Sequence, residues 1–174
     1  MALNPIPRTV VRVQRMLENE LRKGESIEQA LPVWIGGTYV PFLASIVVAV
    51  GLAAGMASSI GANGLIVTAL GAAVGAAAGR AIALRAARSH PVDARALQVF
   101  LVVTQRRVLV YESRSWGKPA RILDSFPPGQ TGEVQLDKGN FIRPTRLTFL
   151  APRGVHAYEF SGLWDVDDFV AALS

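Results

Sequence analysis

Cysteine is absent from the 174 residues, which removes disulfides, thiolate metal sites and cysteine nucleophiles from the possible chemistry. Histidine occurs only as His90, in a linker before Pro91, and His156, on a strand with no partner motif beside it. No Gly-rich phosphate loop ends in Lys-Ser/Thr, and nothing presents a nucleophile with its base and orienter. The acidic trio Asp165, Asp167 and Asp168 is explained by helix capping and the macrodipole rather than by a metal. No catalytic, metal or cofactor-binding residue is therefore assigned, no cofactor is expected, and the chain reads as a non-enzyme.

Charge is the other absence. Between Val40 and Gly79 there is not one charged side chain, and the apolar run continues to Leu84 with Arg80 as its first charge. Such a run is about twice the roughly 20 residues needed to cross a bilayer core. Its middle, Ser58 to Gly64, is small and turn-prone. The pattern predicts two membrane helices, Val40–Ser59 and Leu65–Leu84, joined by a short uncharged loop. No Asp, Glu, Lys or His lies deep in either span, so a proton relay or ion-coupled transporter is not expected.

The net charge of +5 divides unevenly, with +3 of it in residues 40–95 and +1 in each flank. Arg80, Arg85 and Arg88 form a collar where the second span ends, and Trp34 and Tyr39 stand before the first, where amphipathic aromatics favour the interface. Both outer flanks carry Arg and the connecting loop carries none, which predicts both termini in the cytoplasm. Arg outnumbers Lys by 15 to 3; with the Ala and Val content this points to a high-GC bacterial chain, hence to a bacterial inner membrane. Basic residues are not interleaved with aromatics as a nucleic-acid surface would need, so no nucleic-acid partner is expected.

Small residues recur every fourth position in both spans: Gly51, Gly55 and Ser59 in the first, Gly71, Gly75 and Gly79 in the second. Each set lies on one helix face, where close backbone approach gives helix packing in lipid its contact energy. Packing of the two helices on each other would use both stripes. Self-association through the second stripe, as a homo-oligomer or within a larger membrane complex, stays open beside it.

Ahead of the spans, Arg8 to Lys23 predicts an amphipathic helix, with Val10, Val13, Leu17 and Leu21 on one face and Arg8, Arg12, Arg15 and Arg22 on the other. It either lies on the anionic inner leaflet or packs its apolar stripe on a neighbour. Residues 26–38, with Pro32, Gly36 and Gly37, read as a connector.

From Leu97 the apolar period changes to that of strands: 97–104, 106–112, 120–126, 133–137, 141–151 and 155–160, with breakers at Pro127-Pro128-Gly129 and Pro152-Arg153-Gly154. A short helix follows, with Val166, Phe169, Val170 and Leu173 as its buried stripe. The expected class is an α+β membrane protein, a transmembrane α-helical hairpin with a small antiparallel β-barrel plugged by a C-terminal helix. The expected division is 1–39 as an N-terminal helix and connector, 40–84 as the hairpin, 85–96 as a basic linker and 97–174 as the β-domain.

The stretch Leu101 to Tyr111 resembles the "T-x-x-R-hydrophobic" hairpin of bacterial pleckstrin-homology-like and GRAM-like domains, through Thr104 and Arg107. Leu147-Thr148-Phe149, Gly154, Tyr158-Glu159-Phe160 and the closing Asp168 to Leu173 are similar to that family's last hairpin and helix. Leu17 and Gly24-Glu25-Ser26-Ile27 are similar to the family's "L-x-x-G-E-x-I" opening, in which case the membrane hairpin interrupts or precedes the domain. The resemblance implies a PH-like fold and an interaction role at a membrane, with a membrane-associated protein or an anionic lipid as partner. It carries over no lipid site; the family's basic loop corresponds to residues 113–119, and the candidate binding face is residues 106–121, with Arg106, Arg107, Arg114, Trp116, Lys118 and Arg121.

Overall fold

The computed structural model describes residues 6–60, 64–94, 96–112, 120–140, 143–162 and 164–173. Along the chain these form α1 (Ile6–Leu17), β1 (Ile27–Ile35), α2 (Tyr39–Ile60), α3 (Gly64–Ala86), β2 (Gln98–Thr104), β3 (Val108–Glu112), β4 (Arg121–Phe126), β5 (Gln135–Asp137), β6 (Thr145–Ala151), β7 (Gly154–Phe160) and α4 (Asp167–Leu173). The class is α+β. The seven strands make one antiparallel sheet in the order β4-β3-β2-β1-β7-β6-β5.

The sheet does not close, so the barrel expected from the sequence is not formed. β4 and β5 remain its two edges. β5 is only three residues long, too short to reach round to β4. The sheet nonetheless curls: Phe126 of β4 packs near Phe149 of β6 and His156 of β7, with ring centroids 6.1 and 5.8 Å apart. Side chains bridge the remaining seam. Arg153, in the β6–β7 turn, donates to the Leu123 carbonyl at 3.2 Å and lies 3.4 Å from the Asp124 carboxylate.

The residues read as a connector contain β1, which stands at the middle of the sheet. It pairs with β2 from Ile27↔Thr104 to Trp34↔Gln98 and with β7 at Trp34↔Glu159 and Ile35↔Tyr158. Pro32 is tolerated because β7 ends at Phe160, so one flank of β1 at Pro32 has no strand whose ladder a missing N–H would break. The hairpin α2–α3 is therefore inserted between two adjacent strands, and residues 27–35 belong to the same sheet as the strands after Leu97.

Each face of the sheet has its own helix. Val13 and Leu17 of α1 are fully buried against Ile27, Ala30, Phe100, Val102, Leu109 and Tyr111; burial of two such side chains contributes about 3–6 kcal/mol. Of the two readings of this helix, the chain adopts the one in which the apolar stripe packs on a neighbour. The helix stops at Leu17 rather than at Lys23, and its C-terminal carbonyl accepts the N–H groups of Glu20 and Leu21. On the opposite face Phe169 and Leu173 of α4 and Val92 of the linker enclose Leu31, Val99, Leu101, Phe149 and Tyr158. Asp165 does not begin α4, which starts at Asp167.

Candidate membrane-anchoring and interaction site

α2 has 22 residues and α3 has 23, so each is about 33–35 Å long, against a hydrocarbon core of about 30 Å. Both are long and apolar enough to cross a membrane. They pack as an antiparallel pair through the glycines of α3. A Cβ on Gly71, Gly75 or Gly79 would overlap Ala53, Ala49 or Ser45 of α2; at Gly75 it would stand 2.6 Å from the Ala49 Cβ. Ser45 Oγ lies within hydrogen-bonding distance of Phe42 O (2.7 Å) and Gly75 O (3.0 Å). The hairpin does not use both small-residue stripes, as the sequence led one to expect. A Cβ on Gly51 or Gly55 meets nothing within 4 Å, whereas Ala49 and Ala53 form the contact on α2. The Ser59 side chain lies outside the described atoms.

The start of the hairpin is fixed to the sheet. Gly36 approaches β7 so closely that a Cβ would stand 2.8 Å from the Ala157 carbonyl, to which its own N–H donates at 2.8 Å. Gly37 turns the chain with φ +78°, a conformation that favours glycine. Thr38 then donates its hydroxyl to Ile35 O. Glu159 of β7, almost fully buried, takes the Tyr39 N–H at 3.3 Å with one carboxylate oxygen and Arg146 at 2.9 Å with the other. A carboxylate at a helix N-terminus is favoured by the dipole. Trp34, Tyr39 and Phe42 gather here, with Trp34 5.5 Å from the Tyr39 ring and 5.1 Å from the Phe42 ring.

The end of the hairpin docks on the same strand. Arg85 is in the last turn of α3 and Arg88 in the 3-10 turn Ala87–Ser89; both are exposed. His90 Nε2 lies 3.1 Å from the Ala157 carbonyl, and its ring packs 5.4 Å from His156 and 5.0 Å from Tyr158. Burial, with His156 alongside, holds His90 down at about 4. His156 is fully buried, with Nδ1 2.9 Å from the Tyr158 hydroxyl and Nε2 3.5 Å from Asp124. Burial lowers its pKa as well, against the pull of Asp124, and raises that of Tyr158. The two histidines, placed apart in the sequence, thus form one cluster at the junction between hairpin and sheet, with His156 buried and His90 half-buried.

Of the candidate binding residues that the structure describes, Arg106 and Arg107 lie apart from Arg121. Arg106 and Arg107 are at the β2–β3 turn, and Arg121 is at the start of β4, paired in register with Glu112. Five residues of β3 separate the two sites, about 17 Å of strand. Arg121 binds Glu112 at 2.9 Å and the Asp93 carbonyl, and Glu112 also accepts the Ala96 N–H. This pair lies at the hairpin end of the sheet, where β2 begins. Arg107 lies at the far end and is buried on Glu25. Arg106 is exposed. Arg114, Trp116 and Lys118 lie outside the described residues, between Glu112 and Arg121.

Sequence reasoning missed the tertiary use of Glu25. Its carboxylate, with no exposed side-chain surface, receives Arg107 at 2.8 Å, the Thr104 hydroxyl at 2.7 Å and the Arg22 N–H at 2.9 Å. These bonds hold its pKa down at about 2. Thr104 Oγ1 also accepts the N–H groups of Arg106 and Arg107, closing the turn. The stretches Gly24–Ile27 and Thr104–Arg107 therefore meet, and that they are both motif-like was the one signal that could have paired them. Among the described residues no group of three His, Asp or Glu is placed to hold a metal. Compared with known proteins, the chain matches no family model, no curated protein and no solved structure.

Proposed function

We propose that α2 and α3 span a bacterial inner membrane as a hairpin. They hold the sheet, a pleckstrin-homology-like module, at its cytoplasmic surface to meet a membrane-associated protein or anionic headgroups, without catalysis. The observation that carries this reading is exposure. Val47, Val48, Leu52 and Met56 of α2, and Leu65, Ile66, Leu70 and Val74 of α3, are each more than half exposed. Water leaves so large a contiguous apolar surface uncovered only at a cost, whereas lipid solvates it and helices satisfy their own backbone. Arg85 in the last turn of α3 and Arg88 just beyond it, with the Arg face of α1 ahead of α2, favour the cytoplasm for both flanks. Insertion between neighbouring strands gives the module no freedom to drift from the membrane. Glu112 and Arg121 stand at the hairpin end of the sheet, so the segment between them, with Arg114, Trp116 and Lys118, starts and ends beside the anchor and is the binding region this reading selects.

Single cysteines are clean reporters in a chain that has none. In intact cells, Asn63→Cys between the helices should react with an impermeant maleimide and Gln105→Cys only after permeabilisation. Release of the protein by alkaline carbonate, or labelling of Gln105→Cys from outside, would overturn the anchor. For the binding region, Arg114→Glu with Lys118→Glu should reduce partner recovery in a detergent pull-down at least about five-fold. Unchanged recovery would reject that region.

One observation keeps a homo-oligomer as a second reading. The open space at Gly51 leaves a flat strip on α2 that a second copy could approach closely.

A further inference from the structure

Beside the tight helix crossing runs a groove of about 410 Å³ lined by Phe42, Ala73, Ala76, Ala77 and Arg80. That volume lies within the roughly 300–1,000 Å³ of small-molecule sites. Ala73, Ala76, Ala77 and Arg80 are spaced i, i+3, i+4 and i+7, so they share one face of α3. Three of the four are methyl groups, which leave room along the helix; the fourth places a cation at one end. Phe42 of α2 forms the other wall.

The depth of this groove is set by contacts already described. A Cβ on Gly79 would be 3.1 Å from Phe42 O, so Arg80 stands at the level of Phe42. Phe42 in turn packs 5.1 Å from Trp34. Trp34 and Tyr39 are the residue types that settle at headgroup depth. The apolar stretch Ala73 to Ala77 then runs from that level toward the membrane interior, and the guanidinium sits where phosphates are. Arg80 is half-buried. Its five donors let it hold a phosphate in addition to any contact within the chain, and its planar fork suits phosphate oxygens. No Asp or Glu occurs in the sequence between Glu28 and Asp93, and Glu159 is engaged by Arg146 and the Tyr39 N–H.

We infer that this groove binds one anionic phospholipid, with an acyl chain along Ala73, Ala76 and Ala77 and the phosphate on Arg80. The inference rests on the membrane-hairpin reading and adds a ligand and a residue to it. Bound there, the lipid would fix the depth of α3 and, through the Phe42–Trp34 contact, the stance of β1 on the bilayer.

The test is native mass spectrometry of the full chain in detergent, titrated with phosphatidylglycerol, with dioleoylglycerol and inorganic phosphate as controls. A single phosphatidylglycerol adduct is expected. It should weaken at least about five-fold in Arg80→Gln, which loses the charge, and in Ala76→Leu, which fills the groove, and should persist in Arg80→Lys. Unchanged circular dichroism and melting would show that the variants are folded. Equal adducts in all variants, retention of dioleoylglycerol as well as phosphatidylglycerol, displacement by inorganic phosphate, or a dimer that sheds lipid would each overturn the inference. Its failure is separable from failure of the anchor: a chain that resists alkaline carbonate but carries no adduct refutes the groove alone, and one released by carbonate refutes the hairpin.

Discussion

Glu25 and Arg107 form an ion pair at 2.8 Å between groups 82 residues apart, with the carboxylate wholly buried and the guanidinium nearly so. The pair ties the segment before β1 to the β2–β3 turn at the end of the sheet away from the hairpin. Arg107 is consequently a structural residue, and its charge is spent inside the chain.

Removing one partner leaves the other charge buried without compensation. Arg107→Ala or Glu25→Ala should each destabilise the fold by about 3 kcal/mol, read as a lower melting temperature in detergent. The double variant Glu25→Ala with Arg107→Ala should be less damaging than the sum of the singles. Additive losses in that double-mutant cycle would show that the two side chains do not interact.

Acid should weaken the domain in two stages. His90 has a folded pKa of about 4 against the ordinary 6.5, so below pH 6.5 the unfolded chain takes up a proton that the folded chain refuses. Stability present above 6.5 is lost as pH falls toward 4, on the order of 2 kcal/mol. Glu25, held near 2 against 4.5, contributes stability above 4.5 that disappears as pH falls toward 2. His90→Phe should reduce the upper stage, to which His156, also lowered by burial, contributes, and leave the lower one, in melting temperatures recorded from pH 8 to 3. A profile unchanged by His90→Phe would mean that His90 is neutral in neither state's favour.

The two glycine stripes should respond differently to a side chain. Gly75→Val drives a methyl into Ala49 and the Ser45 carbonyl and should separate α2 from α3, seen as loss of an α2–α3 disulfide between introduced cysteines. Gly51→Val should leave that crosslink intact. If Gly51→Val instead dissolves an oligomer in native mass spectrometry, the second reading of the function gains ground.

Glu159→Gln keeps the size of the side chain and removes the charge that holds the first turn of α2. The N–H groups of Tyr39, Val40 and Phe42 should then exchange with deuterium about ten-fold faster, roughly what a loss of 1.4 kcal/mol gives. Unaltered exchange would place the junction's rigidity in Gly36 and Thr38 alone.

The connector and β1 show where sequence reading ends. Six of the seven strands follow from alternation after Leu97, because each is bounded by its own turn chemistry. β1 carries Pro32 and runs into Gly36-Gly37, both local signs of a break. Only the shortness of β7 makes the proline harmless, and that is a property of another strand.

Several properties were written in the sequence alone: the absence of thiol chemistry, two apolar runs of spanning length, the amphipathic α1, and the β-rich segment after Leu97. Each depends on composition or on a period within one element, so local physics suffices. Tertiary structure alone decided that the hairpin sits inside the sheet, that the sheet stays open, that Gly71, Gly75 and Gly79 face Ala53, Ala49 and Ser45 rather than glycines, that Arg107 pairs with the buried Glu25, and that the two histidines meet. Those outcomes depend on which distant groups meet, and the energy of a buried charge or a helix contact is set by its partner, not by its neighbours in the chain.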